Sequence, residues 1–478
     1  MKLALPNTQT VISEEELVAS QPQIKLPKDV TYILNKLHQA GYKAYVVGGC
    51  VRDSLLGKKP KDWDICTSAT PEQTEQVFDG EHIIETGLQH GTITIMKHKE
   101  PYEITTFRID GEYSDGRHPD SVEFTDDLTK DLSRRDFTIN AMAYNYEEGL
   151  IDTFSGQVDL KNKEIYCVGN PYRRFEEDSL RILRALRFAV RYDYKIHPTT
   201  TMAIIELCDD LPEKVSAERI QGEFCKILTS DCKSTARILS NFPYVFETFL
   251  PELHKVVQTH QNNPWHCYGV WGHTIQAIKH CESDDLITRL AVFFHDFGKS
   301  TCHQVGDDGI DHFRGHGAVG AEMTDTILRR LKFDNETREK VVELVKFHDN
   351  IIEPTRPAVK RLLNKIGIEQ IRRLVNVRIA DVKAQNPVME NGRIVKAEHL
   401  LKLAEAIVKE QSCFSLKDLS VNGTDLIELG FPPGKELGKI LETLLNEVLE
   451  ENVPNEKEAL LNYVTENFEL PPKHHLTK

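Results

Sequence analysis

The rhythm of apolar positions changes once along the chain. Before Glu176, short apolar runs alternate with polar, glycine-bearing stretches; after it, the spacing is that of amphipathic helices almost to the end. Residues 1–28 read as a polar lead-in that ends at Pro27, and from Thr31 a helical pattern runs to a stop at Gly41. Ala44-Tyr45-Val46-Val47 is a short apolar strand leading into Gly48-Gly49. Strands are also expected at Gly91–Lys97 (GTITIMK) and Tyr102–Phe107 (YEITTF), where β-branched residues cluster. Asp110–Asp120 (DGEYSDGRHPD) is polar and glycine-containing and reads as a mobile loop. Asp152–Leu160, Gln258–Pro264 and Asn386–Arg393 are candidate linkers, and no internal repeat or low-complexity tract is evident.

The chain has 478 residues, which corresponds to roughly three domains. With 40% hydrophobic and 28% charged residues, the composition is that of a soluble globular protein. No apolar run approaches the ~20 residues of a membrane span. The opening MKLALPNTQTVISEEEL has no apolar signal-peptide core, so no signal peptide is expected. Ten cysteines are scattered from Cys50 to Cys413 without a C-x-x-C pair, which favours free thiols and a cytoplasmic location. The net charge of −15 argues mildly against a nucleic-acid partner unless local basic patches or metal ions offset it.

Three segments of the front half carry candidate chemistry. In Tyr45–Asp64, YVVGGCVRDSLLGKKPKDWD, a strand runs into Gly48 and Gly49 and a helix follows. That arrangement lets backbone N–H groups and a helix start approach phosphates, with Arg52 able to fork onto one. Asp62 and Asp64 flank Trp63, and in a strand residues two apart face one side, where two carboxylates favour a shared divalent cation. Taken singly, the glycine pair and the D-x-D are equally a tight turn and two exposed aspartates. The second segment is Arg134–Ala143, RRDFTINAMA: paired arginines suited to phosphate and Asn140 to a sugar hydroxyl, or a salt-bridged helix start. The third is Glu176–Tyr192, EEDSLRILRALRFAVRY, read as one helix. Asp178, Arg181, Arg184 and Arg187 recur every third residue and Arg191 follows four later, all on one face. Leu180, Leu183, Leu186 and Val190 mark the apolar side. Such a row is either a solvated face or a set of guanidinium forks able to read a base edge, with Asp178 as the acceptor or as a brace for one arginine.

These segments resemble the class II tRNA nucleotidyltransferases and bacterial poly(A) polymerases. Asp152-Thr153-Phe154-Ser155-Gly156 with Asp159-Leu160, and Ser216-Ala217-Glu218-Arg219-Ile220, are similar to two further motifs of that family. The resemblance implies an α+β fold: a polymerase-β-like head with a small mixed sheet, then an all-α neck, body, HD domain and tail. It implies that Asp62 and Asp64 are catalytic and hold Mg²⁺, that Gly48, Gly49 and Arg52 cradle the triphosphate, and that Arg135 binds nucleotide. Asp178 and Arg181 would select C or A, Arg184 and Arg187 would support them, and Glu177 would orient Arg181. The implied activity is template-independent addition of CCA to the 3′ end of tRNA from CTP and ATP, with pyrophosphate released; poly(A) addition is the alternative. The partners would be the tRNA acceptor stem and 3′ end, with no membrane and no DNA.

In the second half, NPWHCYGVWGHT, AVFFHDFGK, RGHG, KFHDN and RIADV follow one another from Asn263. Imidazole with carboxylate suits Mn, Fe, Ni, Co or Mg, although a histidine is more often structural than a ligand. The pattern resembles the HD phosphohydrolase superfamily, which implies His273, His295, Asp296 and Asp381 as ligands of a transition metal or Mg²⁺, with His316 and His348 as the extra histidines of two-metal versions. That superfamily, joined to CCA enzymes, hydrolyses 2′,3′-cyclic phosphates and phosphate monoesters. Leu416–Val448 resembles the family's tRNA-contacting tail, where Lys435 and Lys439 beside Gly434 and Gly438 face phosphate; a plain helical hairpin fits nearly as well. The expected domains are 28–150 (head), 151–262 (neck and body, RNA and nucleobase binding), 263–385 (HD domain) and 386–478 (tail, tRNA binding).

Overall fold

The computed structural model describes residues 22–87, 91–111, 121–390, 392–410 and 414–469. The chain divides into two compact units, residues 1–227 and 228–478.

The first unit opens with α1 (Lys28–Gln39), whose Val30, Ile33, Leu34 and Leu37 are buried at the i, i+3, i+4, i+7 spacing of an amphipathic helix. It starts ahead of the expected Thr31 because Lys28 and Asp29 form a polar first turn that hydrophobic spacing does not reveal. It ends, as expected, at Gly41, which has φ 87°. A seven-stranded sheet follows among the described residues: β1 (Ala44–Val47), β2 (Ile65–Thr67), β3 (Ile83–Gly87), β4 (Thr92–Lys97), β5 (Glu100–Thr106), β6 (Ala143–Asn145) and β7 (Gly149–Ile151), in the order β3-β4-β5-β2-β1-β6-β7. β2 pairs with β5 in parallel and every other pair is antiparallel. α2 (Gly49–Leu55) leaves the end of β1. One face of the sheet packs Tyr45, Val47, Cys66 and Phe107 against Leu128 and Leu132.

Two readings of this unit need correction. Asp152–Leu160 is not a linker: Gly156–Asn162 is helical, and the Asp152 carboxylate accepts the N–H groups of Gly156 (2.6 Å) and Gln157 (2.9 Å). A Cβ at Gly156 would lie 2.4 Å from the Thr138 carbonyl oxygen, so the segment is packed tightly in place. Nor is Glu176–Tyr192 one helix. α3 (Pro171–Glu177) ends at Asp178, which is extended at φ −148°, ψ 100°, and α4 (Leu180–Tyr192) starts afresh. The break has a local cause, since Asp178 Oδ1 accepts the Leu180 N–H at 3.1 Å and so competes with a helical path. Of the loop expected at Asp110–Asp120, Asp110 ends a strand, Arg108–Asp110, paired with Val122–Phe124, and residues 112–120 lie outside the described residues. α5 (Ala217–Leu228) carries Arg219 and Glu223.

The second unit is helical: α6 (Val270–His280), α7 (Leu286–Phe294), α8 (His316–Arg330), α9 (Asn335–Phe347), α10 (Arg356–Ala384), α11 (Arg393–Lys409), α12 (Lys435–Leu449) and α13 (Lys457–Asn467). Gly367 breaks α10 at φ 74°. Leu362, Ile371 and Val375 of α10 pack against Leu400, Ala404 and Ile407 of α11, and a separate core joins Ile440, Leu444 and Val448 to Leu460 and Val464. Of the expected linkers here, Gln258–Pro264 is irregular once helix Leu253–Gln258 ends, whereas Asn386–Arg393 holds a short turn at Pro387–Met389. No helix among the described residues is long and apolar enough to cross a membrane, and the nine described cysteines are free.

Gly298, just after α7, meets the start of α8 backbone to backbone: a Cβ there would stand 2.1 Å from the His316 carbonyl oxygen and 2.6 Å from the Gly320 nitrogen. Both contacts are with main chain, which cannot swing aside. Gly298→Ala is expected to lower stability by about 1–3 kcal/mol or more in urea unfolding. The matched control, Gly438→Ala within α12, has nothing within 4 Å of the added Cβ and should be neutral or stabilising by roughly 0.5–1 kcal/mol.

Candidate active site

The active-site candidate starts where β1 turns into α2. Gly48 has φ 79° and ψ −123°, and a Cβ there would come within 3.0 Å of Arg135 Nη1. The backbone conformation requires glycine, and the guanidinium lying across it would have to shift slightly to admit a side chain. The Gly48 N–H donates to the Met142 carbonyl (3.0 Å), which fixes the turn to the strand alongside. Gly49 opens α2, and Arg52 on that helix is buried, paired with Asp53 at 2.9 Å and hydrogen-bonded to Asn140 Oδ1. The expected phosphate fork and the expected sugar contact therefore hold each other.

Asp62 and Asp64 are not in a strand, as their alternation had suggested, but in the irregular segment just before β2. The Val47 N–H donates to the Asp64 carbonyl at 3.0 Å, which extends the sheet's hydrogen bonding to that residue. The parallel register Ile65↔Ile104 sets Glu103 of β5 beside Asp64. Both line a cavity of about 260 Å³ with Arg108, Arg134 and Arg135. Loss of surrounding water raises the Asp64 pKa, Asp62 adds to this, Arg135 opposes it and Glu103 contributes further. Crowded carboxylates of this kind fit a divalent cation. Sequence reading missed Glu103, although in YEITTF it falls on the face opposite the buried Ile104.

An adjoining cavity of about 500 Å³ is lined by Gly48, Gly49, Asn140, Leu180 and Phe188, by eight arginines (Arg52, Arg134, Arg135, Arg181, Arg184, Arg187, Arg191, Arg219) and by four aspartates (Asp62, Asp64, Asp136, Asp178). The negative total charge is thus locally reversed where a nucleotide would enter. The row on α4 is not a solvated face. Arg184 donates to Asp136 Oδ2 through Nε (2.8 Å) and Nη2 (2.5 Å), Arg187 pairs with Glu223 (2.5 Å) and stacks on Phe188 (4.3 Å), and Arg181 donates to Glu177 Oε2 (2.8 Å). Glu177 does orient Arg181, which also reaches the carbonyls of Arg174 and Arg134 (both 3.1 Å). Asp178 braces Arg219 rather than Arg181: Arg219 Nη2 lies 2.9 Å from Asp178 Oδ2. Asp136, Arg219 and Glu223 were not foreseen as parts of the site. Their ion-pair partners Arg184, Asp178 and Arg187 lie dozens of residues away in sequence, beyond the reach of local periodicity.

A second cluster lies in the other unit, where all six predicted side chains come together. His273 Nε2 is 3.2 Å from His295 Nε2 and 2.9 Å from Asp381 Oδ1. His316 Nε2 is 3.2 Å from His348 Nε2, and the two lie 3.5 and 3.6 Å from Asp296 Oδ1. Asp296 Oδ2 faces His295 (3.2 Å). The Nδ1 atoms of His295, His316 and His348 donate to the carbonyls of Val292, Phe313 and Val345, each three residues earlier, at 2.7–2.9 Å. That leaves their Nε2 lone pairs facing inward, the tautomer a metal ligand needs. The donor set fits one or two divalent cations. Lys299, not foreseen, lies 2.7 Å from Asp296 and donates to Gln261 (2.6 Å).

Residues 44–166 match the Poly A polymerase head domain, 193–256 a region described as a probable RNA- and SrmB-binding site of polymerase A, and 318–464 the tRNA nucleotidyltransferase domain 2. A CCA-adding enzyme of Streptococcus suis is 33% identical over 435 residues, 90% of this chain and 94% of the relative. The chain belongs to the CCA-adding enzyme family. A second member, from Lactococcus lactis subsp. cremoris, is 32% identical over 466 residues, 95% of this chain and 98% of its own. The crystal structure of the Bacillus stearothermophilus CCA-adding enzyme in complex with CTP superposes with a TM-score of 0.67 at 27% identity, covering 93% of this chain and 98% of the other. As a family member the chain is a tRNA nucleotidyltransferase, and its fold is α+β: a polymerase-β-like head with a small mixed sheet, followed by helices.

Within this family member, Asp136 has a pKa of about 2: burial works to raise it, and the Arg184 charge with hydrogen bonds from Asn140 and Arg184 outweighs that. A carboxyl with a lowered folded-state pKa stabilises above its unfolded value, near 3.9, and loses that contribution as pH falls toward 2. The contribution is on the order of 2 kcal/mol. Unfolding free energies measured from pH 5 to pH 2 are expected to fall more steeply for the parent than for Asp136→Asn, with the gap closing at the acid end.

Proposed function

We propose that this tRNA nucleotidyltransferase builds and repairs the 3′-terminal CCA of tRNA from CTP and ATP and releases pyrophosphate. The observation that carries the proposal is the meeting of Asp62, Asp64 and Glu103 with the arginine-lined cavity, in a chain that spans 94% of a CCA-adding relative. Asp62 and Asp64, with Glu103 beside them, would hold Mg²⁺. The ion, when bound, activates the attacking hydroxyl and neutralises charge developing on the phosphoryl group. The tRNA 3′-oxygen bonds to the α-phosphorus, the bond to the β-phosphate oxygen breaks, and pyrophosphate leaves. Gly48 and Gly49 admit the triphosphate close to the backbone, with Arg52 beneath them and Arg135 alongside. Asp178 and Arg181 read the incoming base. C and A both present an amine donor beside a ring-nitrogen acceptor, whereas U and G reverse that order. Arg181 has three N–H bonds already taken by Glu177 and by the carbonyls of Arg174 and Arg134, so it is held stiffly for the task. Arg219 sets the Asp178 carboxylate in the same way, and Arg184 and Arg187 brace the wall. We assign residues 28–150 to the head, 151–262 to the neck and body, 263–385 to an HD domain and 386–478 to a tRNA-binding tail.

With tRNA lacking CCA, CTP and ATP, product ends are expected to read CCA, and Asp62→Ala should lower incorporation by several orders of magnitude. Runs of A would return the poly(A) polymerase reading, and near-normal transfer by Asp62→Ala would remove the metal assignment. Asp178→Ala and Arg181→Ala should admit UTP and GTP about ten- to a hundredfold more readily relative to CTP and ATP.

The histidine and aspartate cluster favours a second activity, metal-dependent hydrolysis of phosphate monoesters or 2′,3′-cyclic phosphates. His273, His295, Asp296, Asp381, His316 and His348 would hold the cations, and Lys299 holds Asp296 in place. Joint His295→Ala and Asp296→Ala substitution should abolish metal-stimulated release of phosphate and leave CCA addition intact. Loss of both activities in a folded protein would end the division into two sites.

A further inference from the structure

The loop leading into the histidine and aspartate cluster exposes an aromatic ring that is held on both sides. Trp265 is 43% exposed. The Asn386 N–H donates to the Trp265 carbonyl (2.9 Å) and the Asn386 side chain donates to the Pro264 carbonyl (3.2 Å), so the segment is pinned to the end of α10. Arg393, at the start of α11, lies over the Trp265 ring with its guanidinium carbon 5.7 Å from the centroid. The same guanidinium donates to Gln385 Oε1, and Gln385 Nε2 donates to Asp381 Oδ1 at 2.9 Å. On the other side, the next residue, His266, sets its ring edge-on to His273 at 4.7 Å. Trp265 is therefore tied to two inward-facing members of the cluster, Asp381 through Gln385 and Arg393, and His273 through His266.

A single exposed aromatic ring is ordinary; what sets Trp265 apart is the guanidinium over its ring and the backbone that pins it beside the cluster. Rigid aromatic rings flanked by arginine are the means by which proteins stack nucleobases without choosing among them. We propose that Trp265 and Arg393 form a base-stacking platform for the substrate of the second site, which makes that substrate a nucleotide carrying a terminal phosphate or 2′,3′-cyclic phosphate. The proposal rests on the phosphohydrolase reading for the reaction and on the platform alone for binding. Trp265 acts on the base and Gln385 positions Arg393, while the phosphate faces the histidines.

The test has a binding arm and a rate arm. In metal-free buffer, equilibrium dialysis of labelled 2′,3′-cyclic AMP should give a second-site Kd about ten- to a hundredfold weaker for Trp265→Ala than for the parent, the head contributing equally to both proteins. Trp265→Phe should restore most of the binding. With metal added, Trp265→Ala should raise KM for 2′,3′-cyclic AMP with little change in kcat, so that preference over glycerol 2-phosphate, which has no base, collapses by the same factor. An oligoribonucleotide ending in a cyclic phosphate, run in parallel, separates an RNA end from a free nucleotide: the better substrate is the one whose KM depends more on Trp265. Equal binding by Trp265→Ala and the parent would overturn the platform, as would equal losses for the nucleotide and glycerol 2-phosphate. Trp265-dependent binding without hydrolysis by the parent would uphold the platform and remove the phosphohydrolase reading instead.

Discussion

The candidate active site hangs on one buried carboxylate. Asp136 accepts from both faces at once: the Phe137 N–H (2.8 Å) and Asn140 Nδ2 (2.9 Å) on Oδ1, and the Arg184 fork on Oδ2. Asn140 in turn receives Arg52, and Arg52 lies 4.8 Å over the Tyr192 ring. One anion thus couples the glycine turn of α2, the segment after Arg135 and the arginine row of α4. Without it, Arg184 would be a half-buried charge that has lost its paired carboxylate, a costlier state than the intact pair. The outer pairs, Arg187 with Glu223 and Asp178 with Arg219, add α5 to the same frame.

The other unit solves a similar problem by backbone geometry. Its histidines are oriented by carbonyls three residues earlier, so helix ends decide where the lone pairs point. Gly298 then lets the end of α7 touch the start of α8, which brings His295 and Asp296 within reach of His316. Opposed Nε2 atoms at 3.2 Å repel unless a proton or a cation stands between them, and that repulsion is held in place by helix packing rather than by the cluster itself.

Much of this was legible in the sequence. β1, β4 and β5, the glycine turn and the six metal-type side chains followed from short-range pattern and resemblance, because their chemistry is written in adjacent residues such as Gly48-Gly49 and His295-Asp296. What was not legible depends on partners distant in sequence. Periodicity placed Asp178 on a helix face with Arg181; the structure breaks the helix there because the side chain bonds to Leu180 N–H, and Asp178 pairs with Arg219. The strand alternation assumed for Asp62 and Asp64 failed because the sheet begins one residue later, at Ile65. Glu103 was hidden because its neighbour across a parallel strand pair cannot be read from either strand alone.

Among the described residues, every cation lining the larger of the head's two cavities is a guanidinium and none is a lysine. Guanidinium groups stay charged at any pH at which a protein remains folded, and they are poor targets for amine-directed acylation. The electrostatic character of this cavity is therefore insulated from acetyl transfer, which elsewhere on a surface rich in lysine would alter local charge one residue at a time.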